Sequence, residues 1–178
     1  MIDDEVTVAF VCVQNAGRSQ MATAFAKREM ENRNLGNRVE ILTGGTNPTD
    51  SVHQSTVEVM REDGIDLSDR TPREITFEEL QDADIVITMG CSADDVCPAT
   101  WSGDNHDWDL DDPHGRSLAI VRGIRDEIRD RVADLGLETA WCTIHALART
   151  ATLSETQWVL RRVLQRKCVS VVGSVSHP

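Results

Sequence analysis

The stretch VTVAFVCVQNAGRSQMA, from Val6 to Ala22, is a short apolar run that delivers Cys12, five loop residues, then Arg18 and Ser19. A helical pattern begins directly after Ser19. Val6–Val13 is short, valine-rich and followed by a loop, the signature of a buried parallel strand. Strand, loop and helix together put a thiol, a guanidinium and a row of backbone N–H groups around one small volume at a helix N-terminus. Such a volume suits a tetrahedral oxyanion such as phosphate or arsenate.

Within this loop each residue type has a chemical reason. A free cysteine titrates near pH 8.5. A helix N-terminus, inward N–H groups, Arg18 and a hydrogen bond from Ser19 all favour its thiolate form. Arg18 can offer two parallel N–H bonds to two ligand oxygens. The amides of Val13, Gln14, Asn15, Ala16 and Gly17 supply the remaining donors. Gly17 permits close backbone approach, and Asn15 tolerates unusual dihedrals better than most residues.

Further along, Gln20–Glu31 reads as an amphipathic helix with Met21, Ala22, Phe25 and Ala26 on its apolar side. Val39–Leu42 reads as a second strand, closed by Gly44-Gly45 and Asn47-Pro48. His53–Asp63 is a second helix with Gly64 as its C-terminal stop. Thr76–Leu80 is a short helix carrying a Thr76/Glu79 capping box. Ile85–Met89 is the third strand and Asp107–Leu110 a brief fourth. Leu118–Leu135 is a long helix with Ile120, Ile124, Ile128, Val132 and Leu135 along one stripe. Alternating strands and helices imply a parallel sheet covered on both faces, with ligands at the carboxyl ends of the strands. Cys12 and Cys91 both fall there.

The chain has 178 residues and a formal net charge of −12. Residues 1–137 carry 13 basic and 28 acidic side chains, whereas 138–178 carry 5 and 2. The division expected is a domain over 1–137 and a basic extension over 138–178, in which 154–167 could form one amphipathic helix. The acidic body argues against nucleic acid as a partner. No apolar run approaches the roughly 18 residues that span a membrane, and the MIDDE start is unlike a signal peptide, so a cytoplasmic protein is expected. Five cysteines, an odd number, speak for reactive or buried thiols rather than a secreted disulfide framework. Two lysines against sixteen arginines, with abundant aspartate, resemble proteins of salt-rich cytoplasms.

The Cys-x5-Arg-Ser loop between first strand and first helix resembles the low-molecular-weight protein tyrosine phosphatase superfamily. Asn15 and the run Arg18-Ser19-Gln20-Met21-Ala22 are closer to its thioredoxin-coupled arsenate reductase branch. The resemblance continues through Thr46-Asn47-Pro48, Gly64-Ile65-Asp66, Ala83-Asp84, Asp111-Asp112-Pro113 and the Arg122–Ile128 helix. It implies a three-layer α/β/α, flavodoxin-like fold with a four-stranded parallel sheet and the active-site loop after the first strand. It also implies roles. Cys12 is the nucleophile, the loop from Val13 to Ser19 binds the oxyanion, and Asp112, the aspartate before proline, is the proton donor, with Asp111 as the alternative.

Cys91 and Cys97 correspond to the thiols that, in the reductase branch, take electrons on from the nucleophile to thioredoxin. Five residues separate them here where six are usual, which leaves room for a small-molecule thiol as reductant. The implied activity is reduction of arsenate to arsenite by a monomer with no bound cofactor or metal. Zinc held by Cys91, Cys97 and His106 or His114 is the competing use of these thiols, but no second cysteine pair supports it. The first rival function is a phosphomonoesterase on the same loop; the second is a non-catalytic oxyanion-binding module. The chain contains no tyrosine, and His114-Gly115 follow Pro113 where phosphatases commonly carry aromatic residues, leaving Trp108 as the candidate wall. Cys142 and Cys168 match nothing.

Overall fold

A computed structural model describes residues 6–36, 38–92, 96–97 and 101–136. The expected 154–167 helix, Cys142 and Cys168 lie outside these residues. The elements run β1 (Val6–Cys12), α1 (Arg18–Arg33), β2 (Val39–Gly45), α2 (Gln54–Glu62), α3 (Phe77–Gln81), β3 (Ile85–Met89), β4 (Asp104–Asp107) and α4 (Leu118–Asp134). The four strands form one parallel sheet in the order β2-β1-β3-β4. β1 and β3 are central, which explains why their sequences are almost unbroken apolar runs.

Alternate β1 residues point to opposite faces and seed two cores. Val8, Phe10 and Cys12 join Met21, Phe25, Met60, Val121, Ile124 and Ile128 on the face covered by α1, α2 and α4. Ala9 and Val11 join Ile75, Leu80 and Val86 on the face covered by α3. The result is a three-layer α/β/α architecture. The chain leaves β1 toward β2 on one side and returns to β3 on the other, so the sheet order reverses between β1 and β3. A crevice opens at the carboxyl ends of strands at such a point. Cys12 and Met89 are register partners there.

Two helix ends follow their sequence signals. Gly64 has φ +75° after α2, with its N–H on Arg61 O and that of Ile65 on Met60 O, both at 3.0 Å. Thr76 and Glu79 close the capping box on α3.

Three expectations are corrected. α1 is not amphipathic over its first half: Arg18 through Ala26 are all buried, because that half runs between the sheet and α4. The fourth strand is Asp104–Asp107, not Asp107–Leu110. It is a fully exposed edge strand whose pairing is dictated by Ile85–Thr88. Trp108 and Leu110 look like strand residues in sequence because they are core residues, but they belong to the loop beyond it. In α4 the buried stripe is Val121, Ile124, Arg125, Ile128 and Val132; Ile120 is exposed. Arg125 belongs to that stripe because Val59 O, at 2.9 Å from its Nη1, and Glu62, at 3.0 Å, receive its charge.

Candidate active site

The loop after β1 is shaped from outside by the segment after β2. Thr46 N–H donates to Cys12 O (3.2 Å), Asn47 to Val13 O (2.8 Å), Thr49 to Gln14 O (3.2 Å) and His53 to Ala16 O (2.9 Å). A trans peptide points its N–H opposite its C=O. Drawing these four carbonyls outward therefore turns the amides of Val13, Gln14, Asn15 and Gly17 inward. The Asn15 N–H shows the direction, meeting Cys12 Sγ at 3.2 Å. Arg18 and Ser19 open α1, where the first N–H groups have no intrahelical acceptor.

Asn15 is the hub of this loop, with φ +51°. Its Nδ2 donates to Ser19 Oγ and Thr43 Oγ1, both at 2.9 Å, and its Oδ1 accepts from Gln20 Nε2 (3.0 Å) and Arg73 N (3.1 Å). Because Ser19 Oγ accepts from Asn15, its own hydrogen is left for Cys12 Sγ, 2.9 Å away. Gln20 shows in the sequence only as part of the Arg18–Ala22 run, and Thr43 and Arg73 carry no signal there. Thr43 and Arg73 lie 28 and 58 residues from Asn15, and no local pattern marks them.

Arg18 is buried beside the loop. Its Nη1 donates to Leu110 O at 3.2 Å, and its Nη2 lies 3.8 Å from Asp112 Oδ1. The loop carrying Asp112 touches the oxyanion loop closely, since a Cβ on Gly17 would lie 2.7 Å from Pro113 Cγ. Asp112 itself is exposed, facing Arg18. Asp111 instead lines a hollow against α4 with Asp109, Gly123 and Glu127. Trp108 is no cleft wall: it is buried against Phe10 with Arg131 over its ring.

The second pair of thiols sits on the other face of the sheet. Cys91 and Cys97 pack against the core that includes Val11, whereas Cys12 belongs to the opposite core. Cys91 Sγ rests 3.7 Å from Val11 O, beside the backbone that leads into Cys12. Burial pushes the Cys91 thiol up to about 11, and the neighbouring Cys12 adds to this. Cys12, Cys91 and Cys97 are not joined by a disulfide. Among the described residues no group of three or more His, Cys, Asp or Glu is arranged to hold a metal ion. Nor is any described helix long and apolar enough to cross a membrane.

The profile of the low molecular weight phosphotyrosine protein phosphatase family matches residues 7–146. The chain belongs to that family. Within it, the chain is 58% identical over 133 residues to a Halobacterium salinarum protein provisionally named an arsenate reductase, covering 75% of this chain and 92% of the relative. The thioredoxin-dependent arsenate reductase of Corynebacterium glutamicum superposes with a TM-score of 0.64 at 31% identity, over 80% of this chain and 65% of that one. The YwlE arginine phosphatase superposes with a TM-score of 0.61 at 25% identity, over 75% of this chain and 95% of that one. Proteins similar to this chain thus include both arsenate reductases and an arginine phosphatase, and the relative matched at 58% identity bears the reductase name.

Proposed function

We propose that the protein reduces arsenate to arsenite through Cys12, Cys91 and Cys97. The observation that carries this reading is a second thiol, Cys91, held against the main chain immediately before Cys12. A phosphatase has no use for it.

Cys12 thiolate attacks arsenic, and an arsenic hydroxyl leaves as water with one proton from Asp112. Arg18 and the loop amides hold the remaining oxygens throughout. Cys91 thiolate then attacks Cys12 Sγ. The S–As bond breaks, its electron pair stays on arsenic, and arsenite departs from a Cys12–Cys91 disulfide. Cys97 attacks Cys91, returning Cys12 as thiolate and leaving a Cys91–Cys97 disulfide for a thioredoxin-like dithiol or a small-molecule thiol.

With its thiol at about 11, Cys91 is roughly one part in ten thousand thiolate at pH 7. The relay therefore requires Cys91 to leave the α3-side core and reach Cys12 around the end of β1. The burial of Cys91 on the face opposite Cys12 supports a second reading, phosphomonoester hydrolysis, which needs only Cys12, Arg18, Asp112 and water.

Arsenate-dependent NADPH oxidation with a thioredoxin system at high KCl, beside hydrolysis of an aryl phosphate, separates the two. Cys12→Ser stops both activities; Cys97→Ser stops multiple-turnover reduction and spares hydrolysis. Normal thioredoxin-coupled reduction by Cys97→Ser refutes the relay.

A further inference from the structure

We propose that His53 and His114 form a clasp between the two loops of the site, and that both are positioning residues for the proton donor. The proposal rests on Asp112 being that donor.

His53 lies at the start of α2 and belongs to both sides of the crevice. Its backbone N–H holds Ala16 O at 2.9 Å, which helps turn the oxyanion loop. Its ring reaches the other way: His53 Nε2 and His114 Nδ1 are 3.3 Å apart, with ring centroids at 4.8 Å. From His114 the chain of contacts goes straight to the donor, because His114 N–H donates to Asp112 Oδ1 at 3.2 Å. Among the described residues, two polar side-chain links tie 111–116 to the rest of the protein: Asp112 to Arg18, and His114 to His53. Both the His114 amide and Arg18 engage Oδ1, which leaves Oδ2 to carry the proton toward a departing oxygen. The exposed carboxylate would otherwise be free to swing.

A hydrogen bond between two imidazoles needs one N–H and one bare nitrogen. The clasp is closed while at least one ring is neutral, and two cationic rings repel. The charged and titratable groups acting on His53 are His114 and Asp112 from the acid loop and Arg18 from α1. Burial comes first, and with His114 and Arg18 it holds His53 below the usual histidine value, while Asp112 opposes them. His53 Nδ1 is buried with no hydrogen-bond partner, so a proton added there would find no acceptor. The clasp thus resists opening until the solution is distinctly acid. Neither histidine touches the reacting atoms.

The test is kcat and KM across pH 5–8.5, for arsenate reduction and for aryl phosphate hydrolysis, in wild type, His53→Ala, His114→Ala, the double alanine variant and a double glutamine variant. An amide both donates and accepts but does not titrate, so two glutamines can replace the link without its pH response. At pH 7.5 each alanine variant should lose about tenfold in kcat with KM nearly unchanged, a part of what a proton donor contributes. The double alanine variant should lose no more than either single one, because both break the same bond. The wild type should show an acid-side fall in kcat that the glutamine pair lacks while recovering activity. Wild-type kcat and pH profile in the alanine variants overturns the clasp, as does a double variant that loses the product of the two single losses. Asp112→Asn separates the premises. If it is crippled while the histidine variants are unaffected, the clasp alone is wrong; if it keeps wild-type kcat, the donor assignment fails and the clasp with it. A wild type that hydrolyses aryl phosphate without reducing arsenate refutes the reductase reading and still tests the clasp, since Asp112 protonates the leaving oxygen in both reactions. No turnover of either substrate overturns both proposals.

Discussion

A Cβ on Gly90 would sit 2.6 Å from Arg18 Nη1, and Gly90 holds φ +82°. The residue after β3 is thereby tied to the guanidinium after β1, across the strand boundary where the sheet order reverses. Gly90→Ala would meet both penalties. The left-handed backbone costs an alanine about 1 kcal/mol, and the methyl group would push Arg18 off its place. We expect kcat/KM to fall about ten- to hundredfold, less than the roughly hundred- to thousandfold that outright loss of an oxyanion donor costs, with unfolding shifted much less. An unaltered kcat/KM would show that Arg18 does not need this position.

Ser19 is oriented by Asn15, and its hydroxyl faces Cys12 Sγ. A hydrogen bond to a charged partner contributes about 1.5–3 kcal/mol. Ser19→Ala should therefore slow alkylation of Cys12 by iodoacetamide at pH 7 about tenfold while leaving the melting temperature close to wild type. Asn15→Ala should slow it too and also destabilise the protein, since it removes the hub and leaves alanine at φ +51°. Rapid alkylation of Ser19→Ala would contradict the assigned direction of the hydroxyl.

Arg125 ties α4 to α2, reaching Val59 O and Glu62 from within the buried stripe. Its removal leaves the Val59 carbonyl without this donor and opens a gap between the helices. We expect Arg125→Ala to cost about 2–3 kcal/mol in urea unfolding with little change in KM. A cost within experimental error would place the network among surface ion pairs of small effect.

Because His53 is held below the usual 6.5, the unfolded chain binds its proton first as pH falls. Its contribution to stability is fully present above pH 6.5 and is lost as pH falls from there through the lower folded value. Glu62, Asp66 and Glu79 are held below their ordinary values and lose their contributions in a more acid window. Urea midpoints at pH 7.5 and 5.5 should therefore fall less for His53→Gln than for wild type. Equal falls would remove His53 from the acid response.

Much of the fold was legible because its signals are local. β1, the loop and the onset of α1 follow from one apolar run and one change of period, and the caps at Gly64 and Thr76 need only neighbouring residues. The edge strand β4 was misplaced because an exposed strand has no hydrophobic alternation, whereas the loop beyond it does. Ile120 and Arg125 exchanged places because a helical stripe drawn from hydrophobicity ignores a charge that finds partners on α2.

In the candidate site the division is similar. Cys12, Arg18 and Ser19 declare themselves through a spacing that only a strand–loop–helix turn can use. Nothing in that spacing reveals that Thr43, Arg73 and Gly90 shape the same loop, that Asp112 faces Arg18 while Asp111 faces α4, or that His53 meets His114. Nor does it reveal that Cys91 and Cys12 rest on opposite faces of the sheet. Periodicity, capping and loop chemistry act between near neighbours and are written in the chain. Which distant residues meet depends on the strand order and on how the helices pack against it, and only folding decides that.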